Sequence, residues 1–163
     1  MKNISSVFII ILLVFISSCK SSHVVKTIDH TGINTFIDQW HHAAAVADEE
    51  TFFKSFTQDG IYIGTDPTEH WTARELKTLF KDAFEKESAW AFTPHDRHIY
   101  TSEDGRIIWF DELLDTWMGP CRGSGVLKQE NGQWKIAHYH LSVSVPNDAI
   151  PAYLKIIADK PTD

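Results

Sequence analysis

Two histidines near the end of the chain are two residues apart, the spacing of side chains on one face of a β-strand. In the run QWKIAHYHLSV, side chains alternate between two faces, so His138 and His140 share a face with Trp134 and Ile136. These apolar neighbours favour the helix-covered side of a sheet, which predicts that both imidazoles point into a cavity. Histidine titrates near neutral pH, so the pair could act as acid, base or polar ligand contact. The alternatives are a hydrogen-bonded polar lining and a dimer face.

A polar loop, GTDPTEHW, contributes three more groups that could do chemistry: Asp66, Glu69 and His70. A carboxylate that faces an apolar cavity has a raised pKa, which suits a base that removes a proton next to a carbonyl. The alternative is that Asp66 and Glu69 make local turn and capping bonds.

The run IIWFDELLDTW carries one acid on each face of a predicted strand. Both faces are otherwise apolar, which predicts a cavity on one side and a dimer interface on the other. Asp111 alternates with Trp109, so we expect Asp111, rather than Glu112, to face the cavity. Arg122, on the next strand, is then either a structural partner of these acids or a group that recognises a ligand carboxylate.

The chain has nine histidines, yet no spacing is typical of a zinc motif. His95 and His98 flank Asp96 and Arg97, a charged pair that is expected to be exposed. Cys121 has no obvious cysteine partner and is expected to be a small buried hydrophobe rather than a nucleophile. We therefore expect neither a metal nor another cofactor.

The elements that must position these groups follow from periodicity. An apolar stripe over residues 33–47 predicts a helix with a cap at Thr31 and an end near Asp48. A short second helix carries three phenylalanines between residues 52 and 56, and a strand follows at residues 61–63. A capping box from Thr72 to Glu75 opens a third helix.

Residues beyond Ser88 favour strands. Strand-like runs lie near residues 90–101, 106–117, 121–129 and 133–145. Asp-Gly and Asn-Gly pairs mark hairpins between the outer pairs of runs, and Gly-Pro separates the middle pair. An amphipathic helix closes the chain at about residues 148–158. Helices followed by an antiparallel meander predict an α+β fold with the helices on one face of the sheet.

Three segments carry a family resemblance: WHHAAAVADEETFFKSFTQDGIYIGTDPTEHWTARELKTLF, WFDELLDTW and CRGSGVLKQENGQWKIAHYHLSVSVPND. With the element order, they resemble SnoaL-like domains of the nuclear-transport-factor-2-like superfamily, which include relatives of ketosteroid isomerase. The resemblance covers about residues 31–158. It implies a cone-shaped, curved antiparallel sheet wrapped on the N-terminal helices, with a cavity at its open end. Because this scaffold hosts isomerases, dehydratases, epoxide hydrolases, binding modules and assembly domains, it implies no single activity.

The resemblance also bears on two residues of the candidate site. Asp66, in an Asp-Pro pair just after the first strand, is similar in position to the catalytic base of ketosteroid isomerases. The loop is slightly longer here, and Trp40 stands at the helix position of the tyrosine that polarises the substrate carbonyl. An indole N–H donates one hydrogen bond but is a poorer oxyanion partner than a phenol.

The first residues are typical of an export signal: Lys2 precedes an uncharged apolar run that is too short to span a bilayer. The string FISSC resembles the bacterial lipobox, which implies diacylglycerol on Cys19 and cleavage before it. The alternatives are an ordinary signal peptide with an incidental cysteine and an uncleaved helix. We expect a signal peptide over residues 1–18, a lipidated tether over 19–30, the domain over 31–158 and a tail over 159–163. The implied location is the cell envelope, on the periplasmic or outer-membrane side.

The charge balance excludes some partners. The 163 residues carry a formal net charge of −7, with no basic cluster. Nucleic-acid binding and electrostatic docking on anionic lipid are therefore not expected.

Three hypotheses for function follow. The first is a lipoprotein that binds a small, partly apolar molecule and has no defined catalytic activity. The second is an isomerase, dehydratase or hydrolase with Asp66, His138 or His140 as general base. The third is an interaction module without pocket chemistry, and in each case a homodimer through the sheet face is expected. The expected ligand-binding residues are Trp40, Tyr62, His70, Trp109, Asp111 and Arg122.

Overall fold

Two capped helices begin the computed structural model, which describes residues 29–158. The carboxylate of Asp29 accepts a hydrogen bond from the Thr31 N–H at the start of α1 (His30–Ala45). Asp48 caps α2 (Glu49–Lys54) in the same way. Each cap satisfies an N–H group that has no partner within its own helix. The predicted cap at Thr31 is thus replaced by Asp29, and the expected signal peptide lies outside the described residues.

The remaining elements follow the predicted α+β order with three differences. Phe56 begins the first strand rather than lying in the second helix, which ends at Lys54. His70–Thr72 forms an additional short strand, and the predicted third helix is interrupted at Phe80. The capping box of Thr72 and Glu75 is present. The elements after α2 are β1 (Phe56–Ile63), β2 (His70–Thr72), α3 (Ala73–Leu79), α4 (Lys81–Phe84), β3 (Thr93–Thr101), β4 (Ile107–Thr116), β5 (Gly119–Glu130), β6 (Gln133–Val143), a 3-10 turn (Asn147–Ala149) and α5 (Ile150–Ala158).

The six strands form one open, curved sheet in the order β2-β1-β6-β5-β4-β3. Strands β3 to β6 are the predicted antiparallel meander. Asn131 and Gly132 both have positive φ at the β5–β6 hairpin, as a two-residue type I′ turn requires. The first strand, however, lies parallel to the last, so the sheet is mixed rather than wholly antiparallel.

The inner face of the sheet packs against α1. Trp40 is the centre of this core: its ring stacks on Phe52 at 5.2 Å and meets Tyr139 edge-on at 4.6 Å. Aromatic pairs of this kind add to the free energy gained by burying large apolar areas. The other fully buried core side chains include Ile33, Ile37, Leu76, Ile108, Leu114, Leu127 and Ile136.

A bulge in β6 reverses the expected orientation of the two histidines. Ile136 pairs with Leu127, and His138 pairs with Val126, so Ala137 is an extra residue without a partner. Because side chains alternate along a strand, one extra residue moves all later side chains to the opposite face. The prediction that His138 and His140 point inward with Ile136 is therefore wrong. Tyr139 points inward instead.

The last helix has little contact with the rest of the domain. Apolar side chains of α5, among them Tyr153, Leu154 and Ile156, are exposed. Within residues 29–158, none of the helices combines the length and the apolar character needed to cross a bilayer.

Candidate functional site

A cavity of about 250 Å³ lies between helices α3 and α4, the inner face of β1 and the turn that joins β4 to β5. Its wall is mainly aromatic, and we call it the aromatic cavity. It is lined by Tyr62, Gly64, Thr65, Glu69, Trp71, Leu76, Phe80, Ala83, Ala89, Trp90, Phe92, Trp117, Met118 and Leu141.

The aromatic wall is a continuous set of ring contacts. Phe80 meets Trp71 edge-on at 5.7 Å and Trp90 at 5.4 Å, and Trp90 lies 6.5 Å from Phe92. The ring of Trp117, on the β4–β5 turn, is 81% exposed and forms part of the rim. The wall of the cavity is thus a connected set of aromatic rings.

Two polar groups stand in this apolar wall, Tyr62 from β1 and Glu69 from the loop before β2. Burial, together with the nearby charge of Glu69, raises the pKa of the Tyr62 phenol. Tyr62 therefore stays neutral at physiological pH and keeps a proton to donate.

The Glu69 carboxylate is held by the local backbone. Its Oε2 atom accepts a hydrogen bond from the Asp66 N–H at 3.1 Å, and the Gly64 N–H donates to the Glu69 carbonyl at 2.9 Å. A Cβ on Gly64 would collide with this carboxylate, so only glycine leaves room for it at this position.

A buried polar cluster lies elsewhere on the inner face, and we call it the Glu112 cluster (Glu112, His41, Arg97 and Tyr139). Oε1 of Glu112 is 2.7 Å from Nε2 of His41 and 3.4 Å from the Tyr139 hydroxyl, which donates to it. Nε of Arg97 donates to Oε2 of Glu112 at 2.8 Å. Both carboxylate oxygens are therefore occupied, and the cluster connects α1 with β3, β4 and β6.

Charges and hydrogen bonds decide the protonation of the Glu112 cluster. Burial alone would raise the pKa of Glu112, but His41 and Arg97 outweigh it and the pKa is lowered. The pKa of Tyr139 is raised well above its usual range, first by burial and then by the charge of Glu112. The cluster at neutral pH therefore contains a carboxylate and a neutral phenol.

The guanidinium of Arg97 extends this network toward α1. Its Nη1 atom lies 2.8 Å from Oδ1 of Asp38 and donates to Oδ1 of Asn34 at 3.1 Å. Asp96 has a positive φ of 47° within a break in the β3–β4 register, and this bulge turns Arg97 inward. The expectation that the Asp-Arg pair is exposed is correct for Asp96 and wrong for Arg97.

Of the six expected ligand-binding residues, Tyr62 alone lines the aromatic cavity. Trp40 is buried in the core, and its indole N–H has no hydrogen-bond partner within the described part of the chain. His70 is exposed at the start of β2. Trp40 therefore contributes to packing, and the cavity wall is supplied by other aromatic residues.

Trp109, Asp111 and Arg122 lie on the outer face of the sheet. Nη1 of Arg122 donates to Oδ1 of Asp111 at 2.9 Å, so the structural-partner alternative for Arg122 is the observed one. The ring of Trp109 stacks on Tyr100 at 5.8 Å. The prediction that Asp111 faces inward is wrong, because β4 turns the opposite set of side chains, including Glu112, toward α1.

The three residues predicted as general bases do not line the aromatic cavity. Asp66 is exposed and accepts hydrogen bonds from the N–H and hydroxyl of Thr68, which is the local turn bonding considered as an alternative. His138 and His140 lie on the outer face. Burial, with the charges of His140 and His70, lowers the pKa of His138.

A metal centre and a cysteine nucleophile are two further kinds of site that the residue types in this chain could form. No group of three or more His, Cys, Asp or Glu side chains in this range is placed to hold a metal ion. Cys121 is buried on the inner face, with Sγ 3.5 Å from the Thr116 hydroxyl.

Sequence reasoning missed most of the aromatic cavity and the Glu112 cluster. Glu69 was considered only as a loop residue, and Trp71, Trp90 and Trp117 were not assigned a role. The glycines of β5 were a usable signal: Gly123 pairs with Glu112, and Gly125 pairs with Phe110. A side chain on either glycine would collide with an inward-facing neighbour, so glycine spacing marks the inner face.

Comparison with known proteins agrees with this architecture. The family model described as a SnoaL-like domain matches residues 33–146. A search of curated proteins found no match.

Solved structures provide further comparisons. A domain of unknown function with a cystatin-like fold from Nostoc punctiforme is 14% identical, with a TM-score of 0.65 over 83% of this chain and 89% of its own. A proposed ketosteroid isomerase from Parabacteroides distasonis is 17% identical, with a TM-score of 0.59 over 76% of this chain and 93% of its own. An NTF-2-like protein of unknown function from Shewanella oneidensis is 11% identical, with a TM-score of 0.60 over 71% of this chain and 99% of its own. At these identities the likeness shows the fold alone.

The mixed curved sheet, the helices on its inner face and the match over residues 33–146 agree with one another. The chain therefore belongs to the SnoaL-like domain family.

Proposed function

We propose that this domain binds a small, partly apolar molecule in the aromatic cavity and catalyses no defined reaction there. One observation carries the proposal: a concave site walled by tryptophan and phenylalanine rings contains two polar groups, Tyr62 and Glu69. Apolar walls with a few fixed polar groups are the usual composition of small-molecule sites. The rings supply affinity through burial, and the polar pair orients the guest.

The size of the cavity limits the guest. Its volume of about 250 Å³ lies below the range of about 300–1,000 Å³ that is common for drug-sized ligands. A molecule with one or two rings fits this volume. Burial of such a body contributes about 25 cal/mol per Å² of apolar surface.

The enzyme hypothesis has less support. Its candidate bases were Asp66, His138 and His140, and the cavity lining includes none of them. General acid–base catalysis needs a titrating group within hydrogen-bonding reach of the reacting atom. Binding without a defined reaction is therefore the better-supported proposal.

The proposed location is the bacterial cell envelope, on the periplasmic or outer-membrane side, with the domain anchored to a membrane through lipid on Cys19. The support is the lipobox-like string FISSC after a short apolar run. More than one acyl chain anchors a protein stably, whereas a single chain binds only marginally. The ligand would then be a molecule present in the envelope.

The exposed Tyr100–Trp109 stack supports a second proposal, that two copies associate through the outer sheet face. Exposed aromatic pairs on a sheet face are typical of interfaces. Trp109→Glu should convert a dimer to a monomer in light scattering. Trp117→Glu changes an exposed tryptophan that lies away from that face, so this variant should remain a dimer. Equal masses for both variants and the wild type would contradict the proposal.

A screen of small apolar fragments tests the binding function. Ligand-observed NMR with the purified chain should identify binders among neutral, cationic and anionic one- and two-ring molecules. Ala83→Phe fills the cavity and should abolish their binding, because Ala83 is part of the lining. Ala152→Phe makes the same change on exposed α5 and serves as the control.

Two results would contradict the binding function. One is a screen without any binder. The other is a set of binders whose affinities are the same for the wild type and for Ala83→Phe.

A further inference from the structure

The charge distribution of the aromatic cavity is one-sided. Among the described residues that line it, Glu69 is the one carboxylate, and there is no lysine, arginine or histidine. The remaining polar groups are neutral: the hydroxyls of Tyr62 and Thr65, which donate and accept, the thioether of Met118, and the indole N–H groups of the tryptophans in the wall. Glu69 is therefore the one formal charge that a guest meets among the described lining residues.

The charge of Glu69 is not neutralised by a basic side chain within residues 29–158. Its carboxylate is half-buried and accepts one hydrogen bond, from the backbone N–H of Asp66. No Lys, Arg or His of this range lies within ion-pair distance of it. The neighbouring phenol of Tyr62 experiences this charge, since Glu69 contributes to the raised pKa of that group.

A carboxylate that lines a cavity without a basic neighbour can pair with a cation that a ligand supplies. Two opposite charges attract each other more strongly at the lower effective dielectric of a protein site than in water. The faces of tryptophan and phenylalanine rings carry the negative side of the aromatic quadrupole and also attract cations. An anion in the same place would be repelled by Glu69 and would find no cation to pair with.

We propose that the ligand of the aromatic cavity is a small organic cation, an ammonium group on an apolar or aromatic body. The ammonium group pairs with Glu69, and the body lies among the rings of Trp71, Phe80 and Trp90. This inference rests on the proposed binding function and names the ligand class.

Three probes of nearly equal shape separate charge from burial: tryptamine is a cation, tryptophol is neutral and indole-3-acetate is an anion at neutral pH. Isothermal titration calorimetry with the purified chain measures each dissociation constant. Tryptamine should bind at least about tenfold more tightly than tryptophol, the range that one cation–π and ion-pair contact supplies. Indole-3-acetate should bind more weakly than either.

Glu69→Gln tests the residue. Glutamine keeps an acceptor for the Asp66 N–H, so the loop is preserved, but the charge is lost. The tryptamine-to-tryptophol ratio should then fall to about one, while tryptophol affinity changes little. Glu103→Gln removes the same charge from the exposed β3–β4 turn and should leave the ratio unchanged.

Several outcomes overturn the inference. They are tryptophol binding as tightly as tryptamine, no binding of tryptamine, and a preference for the cation that persists in Glu69→Gln. The binding function fails separately, if fragment binding is insensitive to Ala83→Phe. If the tightest ligand is neutral and its binding is lost in Ala83→Phe, the proposed ligand class is rejected and the proposed binding site is retained.

Discussion

Nε2 of His41 on α1 lies 2.7 Å from Oε1 of Glu112 on β4, and the two side chains are 6% and 0% exposed. An ionised carboxylate can only accept, so the His41 ring carries its proton on Nε2. Arg97 occupies the second oxygen of Glu112 at 2.8 Å. The first helix is thereby attached to the inside of the sheet by a directional contact, in addition to the nonspecific packing of the core.

Glu112→Gln should destabilise the domain strongly. The substitution removes the buried counter-charge of Arg97 and leaves it only the exposed carboxylate of Asp38, and breaking a buried pair costs about 3–5 kcal/mol. Urea denaturation measures the free energy of unfolding.

Asp111→Asn is the matched control for Glu112→Gln. Asp111 pairs with Arg122 on the partly exposed outer face, where an ion pair contributes about 0–1 kcal/mol. Similar losses in the two variants would show that the Glu112 cluster does not stabilise the fold.

The free energy of unfolding should decrease in acid through Glu112. The folded-state pKa of Glu112 lies below its usual value of 4.5. Between the two values the unfolded chain binds a proton that the folded chain does not, so stability falls as the pH falls. The stabilisation that ionised Glu112 provides is complete above pH 4.5 and is lost as the pH falls through the folded-state pKa of Glu112.

Urea curves for the wild type and Glu112→Gln, recorded from about pH 6 to about pH 3, isolate this contribution. The difference between them should shrink with acidification. A difference that is constant across this range would contradict the lowered pKa.

Gly123→Ala should destabilise the domain by about 1–3 kcal/mol, the usual cost of overpacking a core. Its added Cβ would collide with the hydroxyl of Tyr139. Tyr139→Phe removes that hydroxyl, so the double variant should recover part of the stability lost in Gly123→Ala.

A double-mutant cycle measured by thermal or urea unfolding gives the coupling between positions 123 and 139. Strictly additive effects would mean that the alanine is accommodated by movement elsewhere.

Cys19→Ala should release the protein from membranes. If lipid on Cys19 is the anchor, the wild type remains in the membrane pellet after a high-salt wash and the variant does not. Cys121→Ala, which changes the buried cysteine, is the control and should stay in the pellet. A Cys19→Ala protein that still sediments with membranes after the wash would reject the anchor.

The element order was predictable because its signals are local. The stripe of α1, the Thr72–Glu75 capping box and the Asn131–Gly132 turn each depend on a few adjacent residues, and the structure contains all of them. The parallel pairing of β1 with β6 was not predictable in this way. It joins distant parts of the chain, and no adjacent residues encode it.

The candidate site was less predictable, because the face of a sheet on which a side chain lies is inferred by counting residues along the strand. One unpaired residue, Ala137, moves His138 and His140 to the opposite face of the sheet, and nothing in the alanine side chain indicates a bulge. In β4, the large ring of Trp109 suggested the inner face for Asp111, yet that ring is stacked on the outer face. The aromatic cavity itself is assembled from α3, α4 and the β4–β5 turn, whose relative positions are set by packing.

The position of β6 between β1 and β5 also determines when the sheet can be completed during folding. A nascent chain that ends before Gln133 has β1 and β5 but lacks the strand that joins them. Both strands then present open edges, which invite pairing with other chains. This closure joins residues far apart in the chain, and long-range pairing of this kind carries a loop-closure entropy. The sheet can therefore be completed only after β6, its last strand, has been synthesised.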